Sequence, residues 1–306
     1  MSSGIPYHIP VLFLIHRRLG PTARVMAALR HARPEVLLIA ADGPRDDPRC
    51  ARVREHVLSS IKWPCQLQTR FLDEQQGCRK AVSSALEWAF GLHEQLIIIE
   101  DDCLPHPNFF TFCEAMLDRF KDVPTVMQIC GSNLTKMQPA GHSYYFSRFG
   151  PIWGWASWRR AWQAYDVEMK AWSSLRNSPQ LRQFCPEAFE AGWRREVLDA
   201  VNRGEVDTWD YQWAFAKLRC GGLNVVPAVN LVSNIGFGAD ATHTTNSFDP
   251  RADMVTQELV APWQHAPSIT AWRAADRAYL TQVVGLPERI WSRKGLRRSL
   301  RTLFQR

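Results

Sequence analysis

The chain is predicted to adopt an α/β fold: a mostly parallel central sheet with helices on both faces. Two observations predict it. From residue 9 to about residue 130, short apolar runs alternate with amphipathic helical patterns, the rhythm of a sheet whose crossovers cover both of its faces. Two of those runs end in acidic residues, Asp42-Gly43 and Glu100-Asp101-Asp102, where a parallel sheet keeps its ligand crevice, outside the carboxyl ends of its strands.

The elements follow in order. Residues 11–15 are a strand, and residues 21–31 an amphipathic helix opened by Pro21, whose missing N–H is no loss in a first helical turn. Residues 36–41 are a second strand ending in Asp42-Gly43-Pro44, followed by a helical stretch over 48–59. A third, more alternating strand spans 66–71, a helix 78–90, the central strand 96–99, a helix 109–120 and a further strand 126–130. After residue 140 the rhythm fades. Residues 144–213 hold most of the tryptophans, and a short strand at 223–226 precedes a loop rich in Asn, Gly and Asp. This half is expected to complete the same domain and wall a cleft over the sheet. Residues 1–265 then form one domain and 266–306 a helical extension. Trp155, Trp158 and Trp162 fall at helical spacing, a pattern of core packing.

Three consecutive carboxylates after a buried strand repel one another and persist best where a cation or ligand neutralises them. The plainer reading of Glu100-Asp101-Asp102 is a solvated turn with Asp102 or Asn108 capping the next helix. The 46% hydrophobic and 22% charged content is that of a globular protein, and no apolar run reaches the roughly 18 residues of a membrane-spanning helix. Residues 9–15 lack a basic lead and a small-residue cleavage site, so a cytoplasmic location is expected. Eight dispersed cysteines without a C-x-x-C pair predict neither disulfides nor a zinc site. Much of the net charge of +7 sits in residues 289–306, where Leu296, Leu300, Leu303 and Phe304 share one helical face. That is a basic amphipathic helix, either laid on an anionic membrane surface or docked on the domain. No nucleic-acid module is visible, so no nucleic-acid partner is expected.

The strongest signal is an ordered set. It comprises the first strand with its Arg-containing helix, Asp42-Gly43, Ile-Ile-Ile-Glu-Asp-Asp leading into Pro107-Asn108-Phe109-Phe110, Gly154-Trp155, Trp209-Asp210, and Ser233-Asn234-Ile235-Gly236 ending at His243. Over residues 9–245 this set resembles the metal-dependent, GT-A-type (Rossmann-like) glycosyltransferases that use nucleotide-diphospho-sugars. Within them it is similar to a bacterial group related to the eukaryotic N-acetylglucosaminyltransferase I family.

The resemblance implies a function. An inverting transfer moves the sugar of a nucleotide-diphospho-sugar, a UDP-sugar first, to a hydroxyl of a bacterial surface glycan, lipid-linked saccharide or protein. Asp102 would ligate Mn²⁺ or Mg²⁺, which disperses the charge of the departing diphosphate. Glu100 and Asp101 would hold the ribose, the sugar or metal-bound water, and Asp42 a base edge such as uracil. His243 would be a second metal or diphosphate contact, or else pack its loop. A general base must take the acceptor proton. The resembled family has adjacent carboxylates there, whereas this chain reads Trp209-Asp210-Tyr211-Gln212-Trp213, which leaves the base open between Asp210 and Asp207. Cations for the diphosphate come from Arg17, Arg18, Arg70 and Arg79 or Lys80, with Arg17 and Lys80 foremost. Trp155 would line the donor sugar. Two other classes compete: a metal-dependent pyrophosphate or phosphodiester hydrolase, which would break the donor down without an acceptor, and a non-catalytic nucleotide- or glycan-binding module, which would bind without metal.

Overall fold

The computed structural model describes residues 8–187, 189–238 and 249–286. His243 and the basic tail from Arg289 lie outside the described residues.

The first half is built as the alternation predicts. Strands β1 (Val11–Ile15), β2 (Val36–Ala41), β3 (Gln66–Phe71) and β4 (Gln95–Glu100) alternate with helices α1 (Leu19–Ala32), α2 (Pro48–Ser60) and α3 (Gly77–Leu92). Pro21 sits inside the first turn of α1, where it has no hydrogen bond to lose. Asp47 caps α2 by accepting from the Arg49 amide at 3.0 Å. β5 (Cys103–Pro105), α4 (Asn108–Arg119) and β6 (Val126–Cys130) follow.

The second half supplies β7 (Tyr144–Ser147), β8 (Trp155–Trp158), the short helices α5 (Arg159–Trp162), α6 (Trp172–Leu175) and α7 (Pro179–Phe184), then α8 (Glu190–Asn202) and α9 (Asp210–Arg219). It ends with β9 (Leu223–Pro227), β10 (Val232–Asn234) and α10 (Arg273–Ala278), which runs into a π-helical turn at Tyr279–Val283. Residues from this C-terminal stretch, Leu280 and Val284, pack with Trp193, Val197 and Leu198 of α8 in one apolar cluster.

The eight-stranded sheet has the order β3-β2-β1-β4-β8-β6-β9-β7. All its strands run the same way except β8, antiparallel to both β4 and β6, and β7, antiparallel to β9 at the edge. A separate ribbon pairs β10 with β5 antiparallel.

Strand periodicity divides the core. Val11, Phe13, Ile15, Leu37, Ile39, Ile97 and Ile99 face α1, α2 and α4. Leu12, Leu14, Leu38, Leu96 and Ile98 face α3 and α9. A register slip of one residue would exchange the two sets, so register is strongly fixed.

The tryptophan run corrects the helical spacing expected for it. Trp155 and Trp158 lie on a strand, β8. Their separation of three places them on opposite faces of the sheet, Trp155 with Leu96 and Trp213, Trp158 with Phe112 and Val126. Gly154, at φ +60°, turns the chain into that strand; a Cβ there would press within 2.7 Å of Val232. Only the next residues, α5, are helical.

Candidate functional site

β1 has β2 and β3 on one side and β4 on the other, so the connections reverse direction between β1 and β4. Such a switch point leaves a crevice beyond the strand ends. Here the end of β1 supplies His16, Arg17 and Arg18, the end of β2 supplies Asp42, and the end of β4 supplies Glu100, Asp101 and Asp102. All seven line one cavity of about 520 Å³, together with Arg70, Trp153, Asp207, Trp209 and Asp210.

Arg18 organises the acidic cluster. Its Nη2 donates to Asp101 Oδ1 at 3.0 Å and to Asp102 Oδ2 at 2.6 Å, and its Nη1 to the Gly236 carbonyl at 3.0 Å. The His16 amide donates to the other Asp101 oxygen at 3.2 Å. Burial opposes the Arg18 charge, but Asp101 and Asp102 outweigh it and hold its pKa above the ordinary value. Burial, then repulsion from Asp102, pushes Asp101 up to about 6 despite Arg18. Glu100 is pushed well above the carboxylate range by burial, then by Asp102, Asp101 and Asp210. Its Oε1 is buried without a hydrogen-bond partner. Gly236 must be glycine: a Cβ would stand 2.1 Å from Asp102 Oδ2.

Sequence reasoning placed Arg17 and Lys80 ahead of Arg18. Arg17 does line the cavity, with Asp47 as an ion-pair partner at 3.9 Å. Lys80 is a correction: it is exposed on α3 and does not line the cavity; nor does Arg79, which bonds the Val167 carbonyl and Glu168, because the face of α3 turned to the cavity carries Cys78, Ala81, Val82 and Ala85.

Asp42 and Asp207 reach the cavity with both oxygens engaged. Asp42 accepts from the amides of Gly43 and Gln76 at Oδ1, 2.8 Å each, and of Gly77 at Oδ2, 3.0 Å. Asp207 accepts from the amides of Cys78 and Arg79, 3.0 Å each. Asp207, one of two candidates for the base, is thereby a cap of α3. Asp210 opens α9; its Oδ1 accepts from the Thr208 hydroxyl and from the Tyr211 amide at 2.9 Å. Its Oδ2 has no hydrogen bond among the described residues.

Trp155 is the second correction. It is 0% exposed and absent from the cavity lining, stacked on Trp209 with ring centroids 5.6 Å apart. Trp153, two residues earlier and before the turn at Gly154, lines the cavity instead, edge-on to Phe237 at 5.6 Å.

The donor chemistry fits a hard divalent cation. Among the described residues Asp102 Oδ1 meets only the Cys103 thiol, at 3.5 Å, and Glu100 Oε1 is unpartnered; carboxylate oxygens suit Mn²⁺ or Mg²⁺. Among the described residues no three His, Cys, Asp or Glu side chains converge on one ion position.

No family model matches the chain and no curated protein matches it in sequence. Many solved structures show a likeness, two of them as follows. HddC from Yersinia pseudotuberculosis is 12% identical over 50% of this chain and 77% of that one, with a TM-score of 0.33. UDP-glucose pyrophosphorylase complexed with UDP-glucose is 11% identical over 46% of this chain and 62% of that one, with a TM-score of 0.28. No helix among the described residues is long and apolar enough to cross a membrane.

Proposed function

We propose that this chain is a metal-assisted, inverting glycosyltransferase. Its donor is a nucleotide-diphospho-sugar, a UDP-sugar first, and its acceptor a hydroxyl of a glycan, lipid-linked saccharide or protein. The observation that supports this reading most is the meeting of Glu100, Asp101 and Asp102 with Asp210 in one cavity at the β1/β4 switch point.

Asp102 Oδ1 and Glu100 Oε1 are the oxygens that would hold Mn²⁺ or Mg²⁺, whose charge stabilises the departing diphosphate. Arg17 and Arg70 add fixed positive charge along the same cavity. Asp210 acts as general base: Thr208 and the Tyr211 amide fix its Oδ1, and its Oδ2 takes the proton of the attacking hydroxyl. Trp153 and Trp209 supply walls that keep water from competing with the acceptor. Asp42 and Asp207 hold α3 rigid beside the donor.

The test is a thermal-shift series with UDP, GDP, CDP and their sugars, each with Mn²⁺ and then with EDTA, repeated on Asp102→Asn. Ligand bound to the folded state raises the midpoint by mass action. A metal-dependent rise with one nucleotide family, lost in Asp102→Asn, is expected. A rise that survives both EDTA and the substitution leaves a binding module. No rise with any nucleotide ends the transferase reading.

A further inference from the structure

The cavity extends past Asp210 into a second arm that the transfer chemistry does not use. Its walls are Val197, Leu198, Val206, Val283 and Val284, most of them members of the apolar cluster between α8 and the C-terminal turn. Val197, Leu198 and Val284 thus belong to both the cavity wall and that cluster.

Two polar groups of this arm have unmet demands. Trp193 lines it with a buried Nε1 that has no hydrogen-bond acceptor. Lys217 of α9 also lines it and is 3% exposed. Its Nζ donates to Gln128 Oε1 at 2.5 Å and Asn224 Oδ1 at 2.7 Å, both carbonyls of neutral amides. The arginines of the same arm differ: Arg148 pairs with Glu190 at 2.9 Å and Asp276 at 2.8 Å, Arg194 with Glu190 at 3.0 Å, and Arg251 with Asp249 at 2.6 Å. Among the described residues Lys217 is the cation of the arm without a carboxylate partner. A buried ammonium lacking a counter-ion is costly, and burial draws Lys217 down to about 7. An anion delivered by a ligand would remove that cost. Apolar walls with few convergent polar groups are the ordinary build of a small-molecule site.

We propose that this arm is the acceptor subsite and that the acceptor carries an acid group. The acid meets Lys217 and the Trp193 Nε1–H, the body lies on the valine and leucine walls, and the acceptor hydroxyl is left at Asp210. This deepens the transferase reading and rests on it.

Two probes with one aryl body separate the terms: 4-nitrophenyl β-D-glucuronide and 4-nitrophenyl β-D-glucoside, titrated calorimetrically against the full chain at pH 6.5. The glucuronide is expected to bind at least about tenfold tighter, a difference of about 1.4 kcal/mol. Lys217→Met should abolish that preference. Val197→Trp, which fills the arm and leaves Lys217 in place, should remove binding of both probes while the Mn²⁺-dependent UDP shift persists; it serves also if Lys217→Met fails to fold. Equal affinities, a preference that survives Lys217→Met, or probe binding that survives Val197→Trp overturns the proposal. UDP binding without glucuronide binding sinks the acid-bearing acceptor alone, and loss of UDP binding as well sinks the transferase reading beneath it.

Discussion

Asp42 and Asp207 grip one helix end between them. Asp42 takes the amides of Gln76 and Gly77, and Asp207 those of Cys78 and Arg79. These are the four N–H groups that the start of a helix leaves without intrahelical partners. The clasp ties the end of β2 to the segment that enters α9, and so holds Asp210 against the sheet. It also closes the N-terminus of α3 to phosphate, since its donors and its dipole are already met by carboxylates.

Asp207→Ala should therefore cost about 1 kcal/mol of stability, the ordinary loss for a helix cap, read as a lower urea midpoint at unchanged slope. Asp207→Asn keeps an acceptor oxygen and should lose less. In neither variant should the pH dependence of kcat/KM move. An acidic limb that disappears in Asp207→Asn would transfer the base from Asp210 to Asp207.

Asp210→Asn should lower kcat by about 10²–10⁴, the usual worth of a general base, with donor affinity unchanged. The acidic limb of the pH–rate profile should go with it, because that limb records protonation of the base. If kcat holds, Asp210 is only the first residue of α9.

Arg18→Gln leaves Asp101 and Asp102 buried without their guanidinium. Breaking a buried ion pair from one side costs about 3–5 kcal/mol, and with the Arg18 side chain 19% exposed the lower end is expected in urea unfolding. Mn²⁺ should then raise the melting temperature of the variant more than that of the parent, since a cation bound in the same acidic cluster can offset the lost charge. An equal Mn²⁺ response in both proteins would separate the metal from this carboxylate pair.

The alternation of apolar runs made β1 to β4 and their helices legible, because strands buried on both faces and amphipathic helices leave local signatures. The acidic ends were legible for the same reason: three adjacent charges beside Ile97-Ile98-Ile99 conflict with their surroundings. What stayed hidden depends on pairing between distant segments. Arg18 and Arg17 are neighbours in sequence, and only the path of the chain at Gly236 decides which guanidinium meets Asp102. Trp155 and Trp158 stand three apart, a spacing that suits a helix, yet they lie on β8, which inserts antiparallel between β4 and β6, a placement that no local pattern encodes. Asp207 looks like a second base until α3 is seen to end against it.

Lys217 gives a prediction with a definite sign. Burial lowers its pKa to about 7, while Cys130 and Asp210 act to raise it and Arg194 to lower it. Cys130 is itself pushed up to about 12 by burial and stays a thiol. Between about pH 7 and the ordinary lysine value of 10.5, the unfolded chain holds a proton that the folded chain lacks. Stability therefore rises with pH across this window, by up to about 1.4 kcal/mol per unit; the burial penalty is full below about pH 7 and fades as pH climbs. Urea unfolding of the parent and of Lys217→Met at pH 7, 8 and 9 isolates this contribution, because every other titrating group is common to both. The parent should gain on the variant by about 2–3 kcal/mol between pH 7 and 9. A constant difference would mean that Lys217 remains charged in the fold, and the case for an anion at its Nζ would then rest on its missing carboxylate alone.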